Sequence, residues 1–139
     1  MADMTSINVG DVVATRTIAV DRKTLVRYAG ASGDFNDIHY SDVVARAVGL
    51  PGVIAHGMWT MGAAVSVLED FLGDAGLVID YQTRFSRPVE VPSTGTAEIN
   101  VSVAVGAIDA ARGTVRFDLS VTVSGARVLT KAQAVARLG

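Results

Sequence analysis

Residues 52–68 read GVIAHGMWTMGAAVSVL, apolar throughout except for His56, Thr60 and Ser66. How this stretch is read decides the fold. Seventeen residues fall at the bottom of the length that spans a bilayer, and Glu69 and Asp70 follow at once. The segment therefore predicts a buried core helix, wrapped on every side because it is apolar on every side. Pro51-Gly52 breaks the chain before it. From Leu77 onward the character changes to strands: LVIDYQTRFSRPV, then GTAEINVSVAVGAID, GTVRFDLSVTVSG and ARVLTKAQAVARL. The last three alternate with period two, Val115, Phe117, Leu119, Val121 and Val123 sharing one face, with DAARG and SGAR as turns. Upstream, Val9 to Ile18 suits a short strand. Asp21 is a good N-cap for a helix carrying Leu25, Val26, Tyr28 and Ala29, which Gly30 and Gly33 end. Ser41 or Asp42 can cap a short helix stopping at Gly49. The order predicts one α+β domain, an antiparallel sheet with an apolar helix lying across it.

Composition narrows the function classes. The chain has 139 residues, half of them apolar and 19% charged, so it can bury a core of its own. A net charge of −2 argues against a nucleic-acid groove. The absence of cysteine excludes disulfides, thiolate metal sites and a cysteine nucleophile, and fits a reducing cytoplasm. The N-terminal MADMTSINVGDVV has neither a positive n-region nor an apolar h-region, so no secretory signal is expected. A single sheet would keep a partly apolar outer face, which favours a second copy or a partner.

Chemistry concentrates in residues 28–40, YAGASGDFNDIHY, where Asp34, Asn36, Asp37 and His39 fall within six residues. On a regular helix Asp34 and His39 would point about 140° apart. The glycines and small residues suggest an irregular turn instead, where a carboxylate and an imidazole can converge and share a proton. The same residue types are also ordinary turn formers, and spacing alone leaves both readings open. The second histidine precedes Gly57 near the start of the apolar helix. A glycine there presents a bare N–H with the helix dipole behind it, the construction of an oxyanion hole. Close helix packing would use the same glycine. A metal centre would need Asp34, His39 and His56 to converge, and their spacing matches no ligand pattern, so no metal is expected.

Residues 28–45, YAGASGDFNDIHYSDVVA, resemble the signature of the MaoC-like, R-specific enoyl hydratases (hydratase 2): an aromatic, small residues, then S/T-G-D-x-N-P-hydrophobic-H. Residues 52–62, GVIAHGMWTMG, resemble the start of that family's central helix, and residues 83–96, TRFSRPVEVPSTGT, its strand and turn into the later sheet. Within the family the chain resembles most nearly the catalytic B-type subunit of (3R)-hydroxyacyl-carrier-protein dehydratases. The resemblance implies one MaoC-like hot-dog domain over residues 1–139, an antiparallel sheet wrapped around one long helix. It implies that Asp34 and His39 hold a water between them, that Asn36 shapes the site, and that the Gly57 N–H binds the thioester carbonyl. It departs from the motif at Asp37, which replaces proline and adds a charge. A serine that some hydratases carry on the long helix corresponds to Val65, with Ser66 adjacent. The implied activity is hydration of a trans-2-enoyl thioester of CoA or acyl carrier protein to the (3R)-3-hydroxyacyl thioester, or the reverse, without metal or redox cofactor. Ile54, Trp59 and Met61 are candidate pocket liners, and Arg84 and Arg87 candidates to meet phosphate or an acidic carrier. A homodimer, or a heterodimer with a second hot-dog subunit, is expected. The rivals are a hot-dog thioesterase, whose carboxylate belongs on the long helix, and a non-catalytic acyl-binding partner subunit, which would lack Asp34 and His39.

Overall fold

Alternation builds the sheet. In the computed structural model, which describes residues 2–139, the strands are β1 (Val12–Val20), β2 (Val78–Phe85), β3 (Ala97–Asp109), β4 (Thr114–Val123) and β5 (Ala126–Arg137). They form one antiparallel sheet in the order β1-β3-β4-β5-β2. Val101, Val103 and Val105 of β3 and Val115, Phe117, Leu119 and Val121 of β4 are buried on one face, as period two requires. β4 turns into β5 through Ser124 and Gly125, both at positive φ, the mirror-image turn that suits the strands' twist.

β5 departs from simple alternation. Leu129 is buried, but beyond Lys131 the buried set becomes Ala132, Ala134 and Ala136, so the parity changes. The register on β5 shifts against both neighbours around this point, and Lys131 takes a left-handed backbone with φ 49°. The register against β4 shifts twice, between Ala132 and Leu129 and again between Leu129 and Arg127, and around these bulges the adjacent Val128 and Leu129 are both buried.

Three helices lie between β1 and β2: α1 (Arg22–Ser32), α2 (Asp42–Ala47) and α3 (Gly57–Leu72). Asp21 caps α1 by accepting from the Thr24 N–H, and Ser41 caps α2 by accepting from the Val44 N–H. The apolar helix does not begin at Gly52. Residues 53–55 are extended because their backbone groups are engaged elsewhere. Ala55 N–H donates to the Val89 carbonyl at 2.8 Å, Val91 N–H to Val53 at 3.0 Å, and Ile54 N–H to Ile38 at 3.2 Å. Nor is α3 wrapped all round. Ala64, Val67, Leu68 and Leu72 are buried in the core, each Val or Leu contributing about 1.5–3 kcal/mol. On the other side Met58, Gly62 and Asp70 reach solvent, because one sheet can cover only one face of a helix. An antiparallel sheet packed around a single long helix is the hot-dog arrangement that the resemblance implied. Among the described residues no helix is long and apolar enough to cross a membrane.

Candidate active site

The polar stretch after α1 is an irregular turn, held by its own side chains. Gly33 ends α1 in a left-handed conformation, φ 77°. The Asp34 carboxylate then accepts the Asn36 N–H through Oδ1 at 3.1 Å, and Asn36 Oδ1 accepts the Ile38 N–H at 3.2 Å, capping a 3-10 turn over Asp37–His39. Asn36 is thus spent on shaping the loop that carries His39. Asp37, in the place of the motif's proline, stiffens that loop by another route. Its Oδ1 accepts from the Tyr40 hydroxyl at 2.6 Å, and its carbonyl accepts from Tyr40 and Ser41 N–H. The bond to Asp37 raises the Tyr40 phenol above its ordinary range.

The turn brings Asp34 and His39 together. Asp34 Oδ2 stands 3.8 Å from His39 Nε2, with the Asp34 side chain half exposed and that of His39 9% exposed. A water about 2.8 Å from each atom fits that separation. His39 Nδ1 lies 2.7 Å from the Ile54 carbonyl. A carbonyl only accepts, so Nδ1 carries the hydrogen, and in the neutral ring Nε2 is the nitrogen with the free lone pair, on the side of Asp34.

The Ile54 carbonyl is itself fixed from a distance. Asp42 accepts the Val53 N–H at 2.9 Å and both its oxygens take Arg22 Nη2, at 3.0 and 3.1 Å, while Arg22 Nε donates to the Val91 carbonyl at 2.8 Å. The Val53 N–H, and then the Arg22 guanidinium, hold the Asp42 carboxyl below the usual carboxylate range. Arg22 and Asp42 therefore clamp the leg on which Ile54 sits. Sequence reasoning gave Asp42 only a capping role and missed Arg22, because the partners lie 20 and 69 residues away.

Gly57 opens α3, and His56 before it makes no side-chain capping bond. The Phe85 ring packs on Gly57 so closely that a Cβ there would stand 2.9 Å from it. Close packing thus gives this glycine one reason to be there. A cavity of about 260 Å³ opens beside Gly57, lined by Ile54, Thr60, Phe85, Arg87, Val128 and Leu129 among others. Trp59 and Met61 are not among its walls. Trp59 packs against the core, and the Met61 carbonyl accepts the Tyr81 hydroxyl at 2.8 Å. Arg84 does not line the cavity either. Thr60 and Phe85 are cavity-lining residues that nothing in their local sequence marked.

His56 also comes to the pair. Ligand atoms of Asp34, His39 and His56 lie within 4.8 Å of one another, a convergence the spacing did not foreshadow. The His39 and His56 rings are stacked, however, 3.8 Å between centroids and 23° between planes. Ring lone pairs lie in the ring planes, so those of stacked rings run side by side and do not aim at one ion.

The chain is similar to several known proteins. The family described as MaoC like domain matches residues 5–125. A 3-hydroxyacyl-thioester dehydratase X of Mycobacterium tuberculosis is 43% identical over 68 residues, 49% of this chain and 23% of that protein. A solved MaoC-like dehydratase superposes with a TM-score of 0.95 at 32% identity, covering 99% of this chain and 42% of the other. R-hydratase PhaJ1 from Pseudomonas aeruginosa gives 0.79 at 25% identity, covering 96% and 83%. The chain thus spans less than half the length of the first two proteins.

Proposed function

The chain belongs to the MaoC-like domain family, and from that premise we propose that it adds water to trans-2-enoyl thioesters to form (3R)-3-hydroxyacyl thioesters, or catalyses the reverse dehydration, in fatty-acid metabolism. The observation that carries this reading is the Asp34–His39 pair, 3.8 Å apart, with the His39 hydrogen pinned on Nδ1 by the Ile54 carbonyl. In hydration His39 Nε2 takes a proton from the water held between them as its oxygen bonds to C3. The electrons of the C2–C3 double bond move toward the thioester oxygen, where the Gly57 N–H meets the gathering charge. One well-placed donor of that kind is worth about 3–4 kcal/mol. A proton returned by the pair to C2 completes the addition of H and OH. No metal or redox cofactor has a step in this scheme.

The thioesterase reading is disfavoured by position. The long helix offers no carboxylate until Glu69 and Asp70 at its far end, and Asp70 is paired with Arg16 at 2.6 Å. A non-catalytic partner subunit would have no use for the paired Asp34 and His39. The acyl group rides on CoA or on a carrier protein, and a reducing cytoplasm suits a chain without cysteine. A second hot-dog subunit, identical or different, would add along β2, an edge strand whose Ile79 and Phe85 are 50% and 54% exposed. Sedimentation showing a monomer at assay concentration would sink that addition.

The test of the activity is a hydration assay on the purified chain, following loss of enoyl absorbance with crotonyl-CoA and a longer enoyl-CoA. Turnover that Asp34→Asn and His39→Gln each abolish is the expected result. A folded chain with no turnover on either substrate would overturn the stand-alone hydratase.

A further inference from the structure

His56 has no part in the steps above, yet it is 1% exposed and sits at their centre. Its ring lies against His39 at 3.8 Å and meets the Tyr28 ring edge-on at 4.8 Å. Its Nε2 is 3.0 Å from the Asp34 carbonyl oxygen. That oxygen only accepts, so Nε2 carries the hydrogen and Nδ1 is left with a bare lone pair. Among the described residues, His56 Nδ1 is the one buried side-chain polar atom without a partner. Burying an unmatched lone pair is unfavourable, and an aliphatic side chain would fill the space without it. What an aliphatic chain could not do is donate to Asp34 and present a flat ring to His39 at once.

We propose that His56 is a positioning residue shared by both members of the proton-transfer pair, acting as the neutral Nε2–H tautomer. The proposal rests on the reading of Asp34 and His39 as that pair. The N–H of His56 holds the main chain of Asp34, and its ring face holds the plane of His39, so two groups on an irregular turn are fixed by one side chain. The neutral state matters as much as the position. When His39 Nε2 takes the proton of the attacking water, the new positive charge faces the π-cloud of an uncharged ring, an arrangement of the cation–π kind. A hydrogen on both nitrogens of His56 would instead set two cations face to face. Among the described residues, the carboxylate paired with the stack is Asp34, 3.8 Å from His39, which the His39 imidazolium already needs. The other contacts are the Tyr28 ring and the Asp34 and Ile54 carbonyls.

Two substitutions separate the donor from the face. His56→Phe keeps a flat ring against His39 and removes the N–H to Asp34, whereas His56→Gln keeps a donor and removes the ring. Each is expected to lower kcat by about 10- to 100-fold while KM for crotonyl-CoA moves less than about threefold, since the loss falls on proton transfer rather than binding. A urea midpoint shows that each variant is folded. Long-range 15N–1H spectra of the unaltered chain at neutral pH read the tautomers without any substitution, and Nε2–H for His56 with Nδ1–H for His39 is expected. His56 found as Nδ1–H or doubly protonated, or either folded variant turning over like the unaltered chain, would overturn the role as stated, in which both the donor and the ring face are needed. An unaltered chain with no hydratase turnover would overturn the reading of the pair and this role with it, which the spectra by themselves cannot do.

Discussion

Replacing Gly57 with alanine separates stability from chemistry at the head of α3. The new Cβ would stand 2.9 Å from Phe85 Cε1, 3.1 Å from Cδ1 and 3.3 Å from Cζ. Ordinary carbon–carbon contact begins near about 3.5 Å, so the ring must withdraw by roughly 0.6 Å. In the single chain Phe85 is 54% exposed and can swing toward solvent, which keeps that movement inexpensive unless a second subunit covers β2. Against it, alanine in place of glycine in a helix gains about 0.5–1 kcal/mol. The two effects nearly offset, and the thermal midpoint should stay within about 4 °C of the parent. Activity should not. The methyl projects beside the N–H that we propose meets the thioester oxygen. Alanine keeps that N–H, so any loss comes from the methyl and the displaced Phe85 ring holding the oxygen away from it, with the cost of a whole donor, about 100- to 1000-fold in kcat, as the upper bound. The assay is crotonyl-CoA hydration beside a thermal melt of the same preparation. Parental turnover in Gly57→Ala would refute the claim that the thioester oxygen comes close enough to Gly57 for a methyl there to hold it away. A collapse of the midpoint would instead refute the claim that Phe85 can yield.

Asp42→Asn tests the clamp on the Ile54 leg through pH. The Asp42 carboxyl is held below its ordinary 3.8, so its stabilisation is present above that value and is lost as pH falls through the lower folded-state value. The gap in thermal midpoint between parent and variant should therefore be full at neutral pH and close below about pH 4. A gap that stays constant down to about pH 2.5 would mean that the carboxylate is not what matters. At the other extreme, burial and then Glu69 push the Tyr81 phenol from 10.0 up to about 12. Its contribution should be whole below pH 10 and fade as pH climbs toward 12, and Tyr81→Phe should remove that fading from an alkaline titration of the midpoint. Lys131→Gly relieves a side chain held at φ 49° and should raise stability by up to about 1 kcal/mol in urea unfolding. A loss of stability would show that the lysine stem contributes packing across the bulge.

Much of the site was legible because it lies close in sequence. Asp34 and His39 are five residues apart, and the glycines and small residues between α1 and α2 announce a turn rather than a helix. The two helix caps, Asp21 and Ser41, were readable for the same reason. Other parts were hidden. The helix start near Gly57 was legible, but the apolar run reaches back to Gly52, and its first residues are extended because the backbone of residues 53–55 pairs with residues 89–91. Apolar composition cannot distinguish a helical residue from an extended one. Trp59 and Met61 looked like pocket liners only because they share the helix with Gly57.

The amino-acid sequence by itself determined the element types and their order, since a period of two, a long apolar run and the capping residues are properties of neighbouring positions. It also determined which groups could move a proton. The tertiary structure alone decided how those groups are aimed. The Ile54 carbonyl sets the His39 tautomer, Arg22 and Asp42 hold Ile54, Phe85 covers Gly57, and His56 stacks on His39. Each of those contacts joins residues that only the folded sheet and helices bring together, and a hydrogen-bond direction or a ring stack exists only once both partners are in place.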